Sequence, residues 1–172
     1  RGGMYSGAIW GNPILLGKWL YKPGYKIDAA KFPKPHVVNM SPFSSPSILY
    51  NGNIAPITSL SVKGIIWYQG ESNACRAYEY RELFPAMINN WRAKFNQGNI
   101  PFLFVQLANY MQEKTIPGES EWAELREAQT LALQLPRTGM AVTLDIGEAG
   151  DIHPKNKMNV GKRLGIAALK IA

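Results

Sequence analysis

From residue 62 onward, short apolar runs alternate with longer stretches in which apolar residues recur every three or four positions. Residues 62–68 (V-K-G-I-I-W-Y) hold β-branched and aromatic residues with no charge after Lys63, which predicts a strand covered on both faces and central in its sheet. Residues 76–96 place Tyr80, Leu83, Phe84, Met87, Ile88, Trp91 and Phe95 at helical spacing, an amphipathic helix that Pro85 would kink. A second buried strand is predicted over 101–108 and a polar loop over 109–118. A helix then opens at Glu119 or Ser120 and runs through Leu135, with Trp122, Leu125, Ala128, Gln129 and Ala132 on one face. Residues 139–146 read as a third strand and 147–153 as a loop, and Pro154 reads as the first-turn proline of a last helix reaching Ala172. The order β-α-β-α-β-α implies parallel strands with helices on both faces.

The first third of the chain lacks this regularity. Glycines and Pro13 break up residues 1–20, and prolines at 23, 33, 35, 42, 46 and 56 punctuate the stretch from there to the first strand. Residues 1–45 are therefore expected to form an irregular proline- and glycine-rich segment, and 46–172 the α/β part. Around Asn51-Gly52 a short helix and a turn are both compatible with the sequence.

Composition narrows the classes. At 172 residues, 46% hydrophobic and 18% charged, the chain suits one globular domain. The formal net charge of +7 is spread along the chain without a basic run interleaved with aromatics. It is read as solubility plus a mild attraction for anions, and not as a nucleic-acid surface. Cys75 is the single cysteine, which excludes an intrachain disulfide and a cysteine-cluster zinc site. No stretch reaches the roughly 18–20 apolar residues of a membrane-spanning helix, so no membrane partner is expected. Because the chain opens on Arg1 and not on Met, it is read as a fragment of a longer protein, and the lack of a signal-like leader says nothing of where that parent goes.

Two polar loops follow predicted strands, where the ends of a parallel sheet gather ligands. The first is Gln69-Gly70-Glu71-Ser72-Asn73. Backbone amides at a strand-to-helix turn, with a glycine for close approach, can make an oxyanion hole; Ser72 or Asn73 capping the next helix explains the same residues. The second runs from Asp145 through Glu148 and Asp151 to His153. A carboxylate two positions before a histidine can orient the imidazole as a general base, and a helix cap beside a surface histidine is the plainer reading. No G-x-S-x-G elbow, dinucleotide fingerprint, phosphate loop or H-E-x-x-H motif occurs, so no cofactor or metal is expected. His36, in the proline-rich region, is read as a loop histidine.

The blocks G-I-I-W-Y-Q-G-E-S-N-A (64–74), L-F-P-A-M-I-N-N-W-R (83–92), P-F-L-F-V-Q-L-A-N (101–109), W-A-E-L-R-E-A-Q (122–129) and D-I-H-P-K-N-K (151–157), preceded by Y-N-G-N-I-A-P (50–56), resemble the sialate O-acetylesterase family of the SGNH hydrolase superfamily. The resemblance covers about residues 46–172. It implies a three-layer α/β/α sandwich around a parallel sheet, here incomplete at its N-terminus, and an activity that removes acetyl groups from sugar hydroxyls by a serine mechanism. The partner implied is an O-acetylated sugar or glycan, and the compartment extracellular, periplasmic or lysosomal. By the same resemblance His153 is the catalytic base, Asp151 its orienter, and Gln69, Gly70, Glu71, Ser72 and Asn73 the oxyanion side of the pocket. The superfamily places its acid three residues before the histidine, which here is Gly150, so Glu148 and Asp145 stand as substitutes for Asp151. The family's nucleophile lies in an earlier G-Q-S-N block that this chain lacks. Gly70-Glu71-Ser72-Asn73 mimics it, but its flanks are those of the later block. The nucleophile is therefore expected upstream of Arg1, and the isolated chain is expected to be poorly active. Deacetylation of a plant polysaccharide such as acetylated xylan is an alternative within the same chemistry, and a non-catalytic sugar-binding module an alternative outside it.

Overall fold

The computed structural model of the chain describes residues 45–171. The expectations for residues 1–44, His36 among them, lie outside the described residues. Six main elements occur in the predicted order: β1 (Ile65–Trp67), α1 (Ala77–Phe95), β2 (Phe102–Val105), α2 (Glu121–Leu131), β3 (Thr138–Ala141) and α3 (Lys157–Ile171). The strands form one parallel sheet in the order β1-β2-β3, with Ile65 opposite Phe102 and Phe102 opposite Thr138. Ahead of the sheet, Tyr50–Ile54 is helical, which settles the choice at Asn51-Gly52 in favour of a helix.

Two crossovers running in the same lateral direction place α1 and α2 on one face of the sheet, and α3 returns over the other. The alternation along β2 serves both layers. Phe102 and Phe104 point into the α1/α2 core with Phe84, Ile88, Leu125 and Ala128, while Leu103 and Val105 meet Val160 and Leu164 of α3. The rings of Phe84 and Phe104 meet edge-to-face at 5.0 Å. Full burial of one such side chain contributes about 1.5–3 kcal/mol, so β2 anchors both layers.

The centre of the described sheet is thus β2, and not the 62–68 segment. β1 pairs over three residues at an edge of that sheet, and Ile66, which points away from α1 and α2, is 66% exposed. The helices also differ from expectation at their ends. α1 runs continuously past Pro85, and the turn Glu71–Arg76 ahead of it is 3-10. α3 begins at Lys157, three residues after Pro154, where Asn156 Oδ1 accepts the amide of Asn159 at 3.2 Å and starts the helix.

At the opposite end of the sheet from the polar loops, Arg92 of α1 is buried without a carboxylate partner among the described residues. Its guanidinium donates to the carbonyls of Ile100 (3.1 Å), Pro136 (2.7 Å) and Arg137 (3.2 Å), fastening α1 to the entries of β2 and β3. Burial, followed by the charge of Arg137, lowers its pKa.

Candidate active site

The turn after β1 is held from behind by a glutamine of α2. Gln129 is fully buried; its amide donates to the carbonyls of Gln69 and Val105, each at 3.2 Å, and its Oε1 accepts the Leu107 amide at 2.9 Å. One side chain therefore joins the ends of β1 and β2. Gly70 lies directly on it, with φ +156°, and a Cβ there would sit 3.0 Å from Leu125 Cδ2 and 3.1 Å from Gln129 Nε2. The dihedral favours glycine, and a methyl group fits there only where Leu125 and Gln129 give by a few tenths of an ångström.

Within the turn, the Gln69 side chain donates to Asn73 Oδ1 at 2.7 Å and accepts from the Tyr80 hydroxyl at 3.1 Å. The Tyr80 pKa is pushed up to about 12, chiefly by burial, so its hydroxyl stays a donor. Neither Ser72 nor Asn73 caps the helix that follows: no side-chain cap forms at Gly70 or at Arg76. The Gly70 amide, the donor that an oxyanion would use, is occupied by Glu71 Oε2 at 2.9 Å. The Ser72 side chain is exposed.

The loop after β3 is stitched to the loop after β2. Gly147 N–H donates to Asn109 Oδ1 at 2.8 Å, and Met111 N–H to the carbonyl of Ala149 at 3.0 Å. Gly147 packs so closely on Asn109 that a Cβ would overlap its two oxygens. Beyond these stitches, Glu148 and Asp151 form a short antiparallel bridge that presents His153. Asp151 Oδ1 accepts the His153 amide at 2.9 Å and stands 3.8 Å from His153 Nδ1, an ion-pair distance longer than a hydrogen bond. The imidazole is 85% exposed.

The two other carboxylates of this loop are engaged elsewhere. Asp145 is gripped by Arg163 of α3 through two bonds of 2.5 and 2.6 Å, and that bond to the guanidinium holds its pKa down to about 2. Glu148 pairs with Lys155 at 3.2 Å. Among the described residues Asp151 is the carboxylate within ion-pair distance of the His153 ring, and its other oxygen stands 3.9 Å from Lys155 Nζ.

A cleft of about 760 Å³ lies between the turn after β1 and the start of α2, lined by Glu71, Ser72, Cys75, Tyr110, Trp122 and Arg126 among others. A second cavity of about 440 Å³ adjoins it through Tyr110, Trp122 and Arg126 and reaches Asn109 and Ala149. His153 and Asp151 line neither cavity. Of the Gln69–Asn73 turn, Glu71 and Ser72 line the cleft while Gln69, Gly70 and Asn73 do not, and His153 and Asp151 stand in the loop after β3, two strands away at the same end of the sheet. The roles of Gln129, Asn109 and Tyr80 were not evident from sequence. The one signal was polar Gln129 on the apolar face of a predicted helix, where an amide must find buried partners.

Residues 39–170 match the family description carbohydrate esterase, sialic acid-specific acetylesterase. The chain belongs to this family. It is 35% identical over 144 residues to the sialate O-acetylesterase of Mus musculus, covering 73% of this chain and 26% of that protein. To the Homo sapiens sialate O-acetylesterase it is 30% identical over 191 residues, covering 99% of this chain and 35% of the other. A solved carbohydrate acetylesterase from Xanthomonas citri is 52% identical and superposes with a TM-score of 0.68 over 72% of this chain and 29% of its own. The chain therefore spans about a quarter to a third of the length of the curated relatives it matches. Family membership and the parallel sheet together establish the α/β esterase architecture read from the sequence blocks.

Proposed function

We propose that this chain carries the base and oxyanion sides of an active site that hydrolyses O-acetyl esters of sugars, with the serine nucleophile supplied by a segment preceding Arg1 in a longer parent protein. The observation that supports this most is the stitching of the loops after β2 and β3, which sets His153 and Asp151 on the sheet edge that also carries the Gln69–Asn73 turn. In the reaction, His153 takes the proton of the serine hydroxyl as its oxygen attacks the acetyl carbonyl. Asp151, beside Nδ1, orients the ring and stabilises its protonated form, which leaves Nε2 to move the proton. Collapse of the tetrahedral adduct breaks the bond to the sugar oxygen, which leaves with the proton from His153. Water, deprotonated by the same imidazole, then attacks the acetyl carbon, and as the bond to the serine oxygen breaks that oxygen takes the proton back from His153 and acetate leaves. The Gly70 amide serves the oxyanion once the Glu71 carboxylate withdraws from it.

His153→Ala in the full-length parent tests this directly. The exposed side chain contributes little to packing, so the fold should survive by circular dichroism while acetate release from an O-acetylated sugar is lost. Retained turnover rejects the assignment. A second reading concerns the sugar: the 52% identical structure is described as a carbohydrate acetylesterase, and polysaccharide acetates such as acetylated xylan are the substrates to assay alongside acetylated sialic acids.

A further inference from the structure

Lys157, the first residue of α3, lays its ammonium over the ring of Tyr68 at the end of β1, 4.7 Å from the ring centroid. At that distance the negative face of an aromatic ring attracts a cation. Among the described residues Lys157 has no carboxylate partner, for Glu148 and Asp151 pair with Lys155. Tyr68 packs against the core clusters of both sheet faces, and its hydroxyl bonds to no described residue. Burial, followed by the charge of Glu71, raises its pKa, so the ring that Lys157 meets is a neutral phenol.

The two residues belong to opposite halves of the site. Tyr68 directly precedes the Gln69–Asn73 turn, and Lys157 ends the loop that carries His153. In the sheet β2 separates these halves, and the stitch at Asn109 joins the histidine loop to the loop after β2 alone. The pairs of Lys155 with Glu148 and Asp151 lie within the loop and cannot fix where it stands over the sheet. Past the stitch, Ile152 packs against the core on the α1/α2 face and Lys157 reaches Tyr68, with His153 between them. The imidazole is 85% exposed and has little packing of its own, so its place follows the backbone held at Ile152 and Lys157.

We propose that Lys157 and Tyr68 are a positioning pair for the ester cleavage, the ammonium clasped on the ring setting the histidine loop at its working distance from the turn after β1. This rests on the esterase reading above and adds to it two residues that touch no reacting atom. The clasp uses the face of the ring and not its hydroxyl, and it accepts any cation of similar reach.

Kinetics of the full-length parent on an O-acetylated sugar test it. Lys157→Met keeps the stem and removes the charge. It should lower kcat about 3- to 30-fold, the range over which a partly desolvated cation–π contact shifts a population, and leave KM unchanged. Lys157→Arg should restore most of the rate, Tyr68→Phe should match the unmodified protein, and Lys157→Met added to Tyr68→Leu should cost nothing further. In the whole chain, amide exchange at Asp151, His153 and Lys157 should quicken by a similar factor in Lys157→Met and return in Lys157→Arg. An unchanged kcat in Lys157→Met, no rescue by Lys157→Arg, or additive losses in the double variant overturns the proposal. A loss in Tyr68→Phe also overturns it, by assigning the role to the hydroxyl. If Tyr68→Leu does not fold, Lys157→Met, Lys157→Arg and Tyr68→Phe still decide. A parent that cleaves no acetyl ester, while loop exchange still follows the charge of Lys157, defeats the esterase reading and leaves the clasp standing. An active parent indifferent to Lys157→Met does the reverse.

Discussion

Gln129 donates to the carbonyl of Gln69 across a separation of 60 residues, and the same amide group reaches Val105. Replacing it by Leu keeps the volume and strands three backbone groups without partners. Each unsatisfied buried group costs about 1–3 kcal/mol. We expect Gln129→Leu to lower the Tm by several degrees and, in the parent, to reduce kcat more than KM, because the turn loses its position while the cleft remains. An unchanged kcat would separate the turn from catalysis.

Gly70→Ala strains the same turn from the other side. A methyl group meets Leu125 and Gln129 at a dihedral that alanine rarely adopts. A loss of about 1–3 kcal/mol in denaturant unfolding is expected. A wild-type midpoint would show that the turn relaxes freely.

Ser72 tests the identity of the nucleophile. Its side chain is exposed and caps no helix. Ser72→Ala in the parent should keep measurable activity, and a serine-directed phosphonate should label a serine upstream of this chain. An adduct on the peptide containing Gly70 to Asn73, found by mass spectrometry, would make Ser72 the nucleophile and the chain an esterase in itself.

Acid should weaken the grip of Arg163 on Asp145. The folded pKa of Asp145 is lowered from 3.8 to about 2, so the unfolded chain binds the proton more readily between these values. The stability from this pair is present above about pH 4 and lost as pH falls through 2. The Tm difference between the unmodified chain and Arg163→Met should therefore shrink over that interval. A difference that is constant down to pH 2 would assign the effect to the Arg163 bond with Val142 O instead.

Arg92→Met removes the donors to Ile100, Pro136 and Arg137 and should destabilise by about 2–4 kcal/mol. Its distance along the sheet from the polar loops predicts an unchanged KM in whatever fraction stays folded.

The helices and their alternation with strands were legible because burial imprints a period on the sequence. In α1, Tyr80, Phe84, Ile88 and Phe95 are buried as their spacing implies. Pairing leaves no such imprint: residues 62–68 read as one apolar run, yet only Ile65–Trp67 find ladder partners in β2. Apolar character likewise could not say which strand lies at the centre, since Phe102 to Val105 and residues 65–68 have similar composition. Helix starts depended on local competition, as where Asn156 accepts a helix amide and displaces the start that Pro154 marked. At the site, the sequence placed the polar loops correctly after their strands. The hydrogen bonds that join them involve Gln129 and Asn109, whose partners lie 22 to 60 residues away and leave no local pattern.

The stitches between Asn109 and Gly147 and between Met111 and Ala149 make the wall of the cleft and the histidine loop one opening unit. Local opening of either loop breaks the bonds that protect the other, so their amides should exchange with solvent at a common rate. Access of a bulky glycan and presentation of the imidazole would then be governed by one shared fluctuation.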